Sequence, residues 1–326
     1  MTTIKGSSVA LKPMIVPQVV GDLLDGCNAA AVDLLLEYAQ KNYHDLDALS
    51  AERANFLGAV TWADQNRRWL SLIDYALVLD DFLDTQGYWE EDKHNLELAL
   101  RASENLGPGY ENRRALLLHN LAVIHMAQGD YQRAEAYFDH SLKLQYRLGD
   151  RLAISRVLHY LGRISARSQD YKKAHQFFEQ SLALGQEVDD TRGVGATLHE
   201  IGTLHMDQGA FGLAEDYYQR SLAISRNVSN LRDTADTLHQ LGILYYRQRE
   251  FDQAQSYFEE ALHLRYKVFH REGIARSLFV LGQLAHDSGD LNRAKRLWNE
   301  SLDLFEYLGV READSVRVRL STLGSP

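Results

Sequence analysis

From residue 111 to residue 310 the chain repeats itself every forty residues without a gap, in blocks that open at Glu111, Arg151, Thr191, Leu231 and Arg271. One signature reads LHNLAVIH, LHYLGRIS, LHEIGTLH, LHQLGILY and LFVLGQLA. A second reads DYQRAEAYF, DYKKAHQFF, AFGLAEDYY, EFDQAQSYF and DLNRAKRLW. A period of this length restricts the fold more than any single motif does. Each block must be one supersecondary unit that hides its apolar side only by stacking on its neighbours.

Each block reads as two helices. Leu158, Leu161 and Ile164 share one face at helical spacing, and Ala174, Phe178 and Leu182 share a face of the next helix. Between them, Asp130, Asp170 and Asp290 are placed to cap second helices, and Gly129, Gly209 and Gly289 to end first helices. Gly162, Gly202, Gly242 and Gly282 fall in mid-helix, where glycine costs about 1 kcal/mol relative to alanine. Close approach of a partner helix explains them, with Phe178, Tyr218, Phe258 and Trp298 filling the notch and the small Ala134, Ala174, Ala214, Ala254 and Ala294 marking the matching contact. The four prolines are Pro13, Pro17, Pro108 and Pro326, so the repeat region is free to form long helices.

Leu-Gly on the first helix, then an aromatic, then Ala-x-x-x-aromatic on the second resembles the tetratricopeptide repeat. The period is 40 rather than about 34, and the usual proline after the second helix is absent. The resemblance implies an all-α solenoid: a right-handed superhelix of antiparallel helix pairs, with first helices on the inner wall. Before residue 111 the pattern continues imperfectly. Residues 86–107 read as a second helix, 71–84 as its first, and 48–69 and 29–43 as further helices. The expected organisation is therefore 1–20 disordered or an expression remnant, 21–70 an N-terminal helical cap region, 71–310 about six hairpins, and 311–326 a C-terminal capping helix.

Leu49, Glu52, Asn55, Phe56, Ala59, Trp62 and Ala63, followed by Gly87, Trp89 and Glu90 and by Leu148-Gly149-Asp150, resemble the C-terminal sensor arm of bacterial signal-transduction ATPases with numerous domains (the STAND class). That resemblance implies a nucleotide-switch module attached before this chain. No G-x-x-x-x-G-K-[ST] phosphate loop occurs, so the chain itself would be the sensor without its motor.

His119, His159, His199 and His239 occupy one repeat position, with Phe279 in the fifth block. On the first helix this ladder serves inter-repeat packing or hydrogen bonding, contact with a partner, or metal binding. The neighbouring Val123, Arg163, Thr203 and Ile243 are poor ligands for zinc, and no metal or cofactor is expected. A proton-sensitive ladder stays open, because histidine titrates near neutrality. Arg156, Arg163 and Arg167 share a helix face, while Asp207, Asp236 and Asp287 hold related positions later. This face suits capture of a carboxylate or phosphate, or a set of inter-repeat salt bridges. The candidate groove residues are His119, Asn120, Arg156, His159, Arg163, Arg167, His199, Thr203, His239, Gln240 and Tyr246.

Asp80-Asp81-x-x-Asp84 matches the magnesium motif of all-α prenyl-transfer enzymes, but no second metal motif accompanies it and no nucleophile–base arrangement is visible. The expectation is a binding module, not an enzyme, with a magnesium-dependent all-α enzyme as the remote alternative. A net charge of −10 disfavours nucleic acid. Cys27 is the sole cysteine, no apolar run reaches the length of a membrane span, and the N-terminus lacks a signal-peptide layout, which together suggest the cytoplasm. The partner expected in the groove is a protein, a peptide or a small inducer. A free-standing adaptor or peptide receptor is the runner-up.

Overall fold

A computed structural model describes residues 29–323, so the expectation for residues 1–20 lies outside the described residues. All fifteen described elements are α-helices. They fall into two compact units divided after Gly149.

The first unit holds α1 (Ala29–Lys41), α2 (Leu46–Gln65), α3 (Trp69–Thr85), α4 (Trp89–Ser103), α5 (Glu111–Ala127) and α6 (Tyr131–Leu148). Helices α3 and α4 pair, as do α5 and α6. A continuous core runs from Val32 and Leu35 through Phe56, Tyr75 and Phe82 to Leu117 and Leu121. Leu49, Phe56, Ala59 and Ala63 are buried in it, and Glu52, 5% exposed, accepts a hydrogen bond from Asn55 at 2.7 Å. Much of the Leu49-to-Ala63 segment that resembles the sensor class is thus core, whereas Trp89 is exposed. Arg53 lies over the Tyr88 ring, 3.8 Å from its centre, and pairs with Glu91, which ties α2 to the start of α4.

The second unit holds α7 (Arg151–Arg167), α8 (Tyr171–Glu187), α9 (Thr191–Asp207), α10 (Phe211–Asn227), α11 (Leu231–Arg247), α12 (Phe251–Lys267), α13 (Arg271–Asp287), α14 (Leu291–Leu308) and α15 (Glu312–Leu323). Each odd-numbered helix from α7 to α13 forms a hairpin with the even-numbered helix that follows it. The helices through α13 are 17 residues long, or ~26 Å at the standard rise.

The helix ends follow local chemistry. Side chains of Asp130, Asp150, Asp170, Asp190, Asn230 and Asp290 each accept a bond from the backbone N–H three residues on. Gly129, Gly209 and Gly289 adopt φ of 80°, 74° and 85°, in the left-handed region expected of them. The mid-helix glycines do what their spacing predicts. A Cβ at Gly162, Gly202, Gly242 or Gly282 would lie within 2.8 Å of Phe178, Tyr218, Phe258 or Trp298 respectively. Those four aromatic rings are buried.

In four hairpins the two helices are also bolted by a buried hydroxyl. Ser141, Ser181, Ser221 and Ser301 donate to the carbonyls of Ala115, Ser155, Gly195 and Ala275, each at 2.8 Å. Ala261 takes this position in α12.

Candidate functional site

The first helices of the second unit carry the polar face on which the candidate residues sit. Every histidine of the ladder packs on the aromatic that fills its own hairpin's notch. His159, His199 and His239 have ring centres 6.0, 5.5 and 5.4 Å from Phe178, Tyr218 and Phe258. In the first unit His119 meets Phe138 edge-on at 5.4 Å. The ladder also links repeats. His159 Nδ1 is 3.1 Å from Thr197 Oγ1, and His199 Nδ1 is 3.0 Å from Thr237 Oγ1. His239 meets a different partner, the Arg265 guanidinium at 3.4 Å. Burial pushes the His159 imidazole down to about 4, and the His239 imidazole down to about 3 with Arg265 adding to the shift. Both rings are neutral at physiological pH, so these two rungs do not switch near pH 6.5.

The arginines of α7 are partly neutralised. Arg163 pairs with Glu200 of α9 at 3.1 Å, and Arg156 lies 3.8 Å from Asp190. Arg167 is exposed. Among the acidic residues, Asp236 pairs with Arg265 at 2.8 Å and Asp287 accepts from Tyr246. The inter-repeat salt bridges considered from sequence are therefore present, and charge of both signs alternates along the face.

Two adjoining recesses open on this face. One, of about 270 Å³, is lined by His159, Arg163, His199, Glu200, Asp233 and Asp236, with Ser225 and Thr237 deeper in. The other, of about 400 Å³, shares Arg163, His199 and Asp236 and adds His239, Gln240 and Arg276. Five candidates from sequence thus come together: His159, Arg163, His199, His239 and Gln240. Arg156 and Arg167 line neither recess, and nor do two others. Thr203 is used inside its own hairpin, donating to the His199 carbonyl at 3.2 Å and lying 3.0 Å from the Tyr218 hydroxyl. Tyr246 packs on Phe251 with a ring-centre distance of 5.9 Å, and burial followed by its bond to Asp287 raises its hydroxyl to about 12. His119 and Asn120 belong to the first unit, where Asn120 hydrogen-bonds Asp80.

Asp80 and Asp92 are the perturbed acids of the first unit. Burial raises Asp80 to about 7 and Asp92 to about 8, with neighbouring carboxylates adding to each shift. Among the described residues no group of three His, Cys, Asp or Glu is placed to hold a metal ion. Sequence reasoning missed Arg265, Ser225 and Asp233. Arg265 stands where the other blocks have Gln145, Gly185, Ser225 and Phe305, and a lone charge at an otherwise neutral position was the available signal.

Two family models, both described as tetratricopeptide repeat, match residues 113–187 and 193–267 and residues 239–305, together more than half of the chain. The chain belongs to the tetratricopeptide-repeat family. No curated protein matches it in sequence. Its fold is similar to that of apo RapI, with a TM-score of 0.68 at 13% identity over 85% of this chain and 98% of that one. It is similar to a Rap protein complexed with competence and sporulation factor, with a TM-score of 0.61 at 11% identity over 91% of this chain and 98% of that one. It is also similar to a STAND protein with a tetratricopeptide-repeat sensor from Pyrococcus horikoshii, with a TM-score of 0.62 at 14% identity. That match covers 93% of this chain and 48% of the archaeal one. The repeats suit this tetratricopeptide-repeat chain to binding proteins or peptides. No described helix is long and apolar enough to cross a membrane.

Proposed function

We propose that this chain captures a peptide or protein segment along the first-helix face of its second unit, as the cytoplasmic sensor arm of a bacterial signal-transduction ATPase. The observation that carries the capture is the pair of adjoining recesses lined by His159, Arg163, His199, Glu200, Asp236, His239 and Gln240. Their polar groups belong to rigid helices and are half exposed, which gives an extended segment several fixed hydrogen-bonding points. The lining differs from one repeat to the next, as an irregular partner requires. The sensor assignment is supported by the likeness to the STAND protein, of which this chain spans about half, and by the Leu49-to-Ala63 segment. Binding would act on an attached nucleotide switch only through different affinity for the arm's two states. The fold likeness to the Rap protein complexed with competence and sporulation factor, over nearly that whole chain, favours a free-standing peptide receptor as the second reading.

Selection from a displayed random-peptide library, followed by calorimetry with Arg163→Glu, tests the capture. Arg163 is 40% exposed at the side chain, and a rim ion pair is worth ~0–1 kcal/mol, so the variant should fold and melt near wild type. The expected result is enrichment of peptides whose binding Arg163→Glu abolishes. No enrichment, or selected peptides that bind the variant unchanged, overturns the reading. A nucleotide-binding module encoded directly upstream would support the sensor over the free receptor, and an unrelated upstream gene would favour the receptor.

A further inference from the structure

The second unit contains two equivalent spaces between consecutive hairpins, forty residues apart, and a guanidinium already enters one of them, beside the recess of about 400 Å³. Arg265, near the end of α12, turns inward and is 5% exposed. It donates to Ser277 Oγ at 2.7 Å, to the Gly273 carbonyl at 3.1 Å and to Asp236 Oδ1 at 2.8 Å, and lies 3.4 Å from His239 Nδ1. One repeat earlier, Ser225 stands at the position of Arg265. The residues equivalent to its four partners are Thr237, Asp233, Ala196 and His199, and all four line the cavity of about 270 Å³ together with Ser225 itself. That cavity is the Arg265 space one repeat earlier, with a short side chain where the long one would be.

The substitutions that accompany Ser225 favour a cation. Asp233 stands where the filled space has Gly273 and adds a carboxylate, one oxygen of which accepts from Asn230 at 2.6 Å, while Asp236, paired with Arg265 at 2.8 Å, stands where the filled space has Arg276. Glu200 replaces Gln240, while Ala196 gives up the carboxylate that Asp236 offers Arg265. Hydroxyls of Ser221, Ser225 and Thr237 supply neutral acceptors, and Ile224 and Val228 supply an apolar wall. Arg163 and Arg192 sit against Glu200 and Asp233, at 3.1 and 3.7 Å, with side chains 40% and 74% exposed. The volume is just below the ~300–1,000 Å³ of whole-ligand pockets, which suits one long side chain.

We propose that this cavity is an anchor site for a guanidinium on an aliphatic stem, that is, an arginine side chain presented by the captured peptide or protein. The proposal deepens the capture reading and rests on it for the source of the arginine. Planar N–H donors would meet Asp233 and Thr237 as those of Arg265 meet Gly273 and Ser277, and the stem would lie on Ile224 and Val228.

The test uses N-acetyl-arginine amide on the full chain, followed through the methyl resonances of Ile224 and Thr237, with N-acetyl-citrulline amide as the neutral isostere and N-acetyl-glutamate amide as the anionic control. Saturable shifts with the arginine amide are expected, at least about tenfold weaker with citrulline, as loss of a charged hydrogen bond predicts. Ser225→Arg should abolish the shifts by supplying the guanidinium from within, while its melting temperature and helicity stay at or above wild type. If Ser225→Arg fails to fold, Asp233→Asn replaces it, with affinity expected to fall about tenfold. Equal binding of citrulline, preference for the glutamate amide, or undiminished binding to the variants overturns the proposal. The two readings fail separately. A library that enriches peptides without arginine leaves capture standing and removes the anchor, whereas arginine amide binding without any enriched peptide keeps the anchor and removes capture.

Discussion

At the scale of single residues, the fold depends on steric pairs that recur with the period. Gly242→Ala should destabilise even though alanine is the better helix former by about 1 kcal/mol. Its Cβ would lie 2.5 Å from the buried Phe258 ring, and overpacking of this kind costs ~1–3 kcal/mol. Urea unfolding would read the net loss. An unchanged or raised midpoint would show that the notch is loose. Ser301→Ala should cost about 1 kcal/mol, because the buried hydroxyl donates to the Ala275 carbonyl at 2.8 Å. The notches and the caps at Asp130, Asp170 and Asp290 were legible in the sequence because each rests on neighbours a fixed number of residues away. The serine bolts were not singled out, since serine at a buried position carries no periodic hydrophobic signal. Arg265 stood out in the sequence only as a lone charge at its repeat position, and its inward role was hidden for a different reason. Its partners Asp236 and Ser277 lie 29 and 12 residues away on two other helices, and only packing brings them together.

At the scale of helices, the two units should answer pH with opposite signs. In the second unit, burial holds His159 and His239 well below 6.5, so the folded state resists protonation that the unfolded chain accepts. Stability there should be intact above about pH 6.5 and fall progressively as pH drops toward 4. In the first unit, Asp80 and Asp92 are raised to about 7 and about 8, so the unfolded chain ionises first. Stability there should be greatest near pH 4 and fall as pH rises through 7 to 8. Hydrogen exchange at about pH 5.5 and 8, corrected for intrinsic rates, should show α7–α13 losing protection at the acidic end and α3–α4 at the alkaline end. Asp92→Asn should flatten the first unit's response, since Asp92 is fully buried and its carboxylate oxygens have no hydrogen-bond partner. Matching trends in both units would refute the assignment. The helix pairs themselves were readable from period and spacing, with α2 observed at Leu46–Gln65 against an expected 48–69 and α4 at Trp89–Ser103 against 86–107. The start of α2 shifts because Asp45 caps it from outside the apolar pattern.

At the scale of the whole molecule, the repeats put one variable polar face on the first helices and leave the second helices to structural duty. Of the eleven groove residues expected from sequence, the five brought together in the recesses sit at positions where first-helix side chains of successive repeats meet. Thr203 and Tyr246 line neither recess, and their polar ends turn to partners within the array: Thr203 to Tyr218 in its own hairpin, and Tyr246 to Asp287 of the next first helix. The most direct measurement of the central claim is hydrogen–deuterium exchange of the full chain with and without a library-selected peptide. New protection confined to α7, α9, α11 and α13, strongest around His199 and Asp236, is the predicted result. Protection confined to α8, α10 and α12, or to the first unit alone, would contradict it.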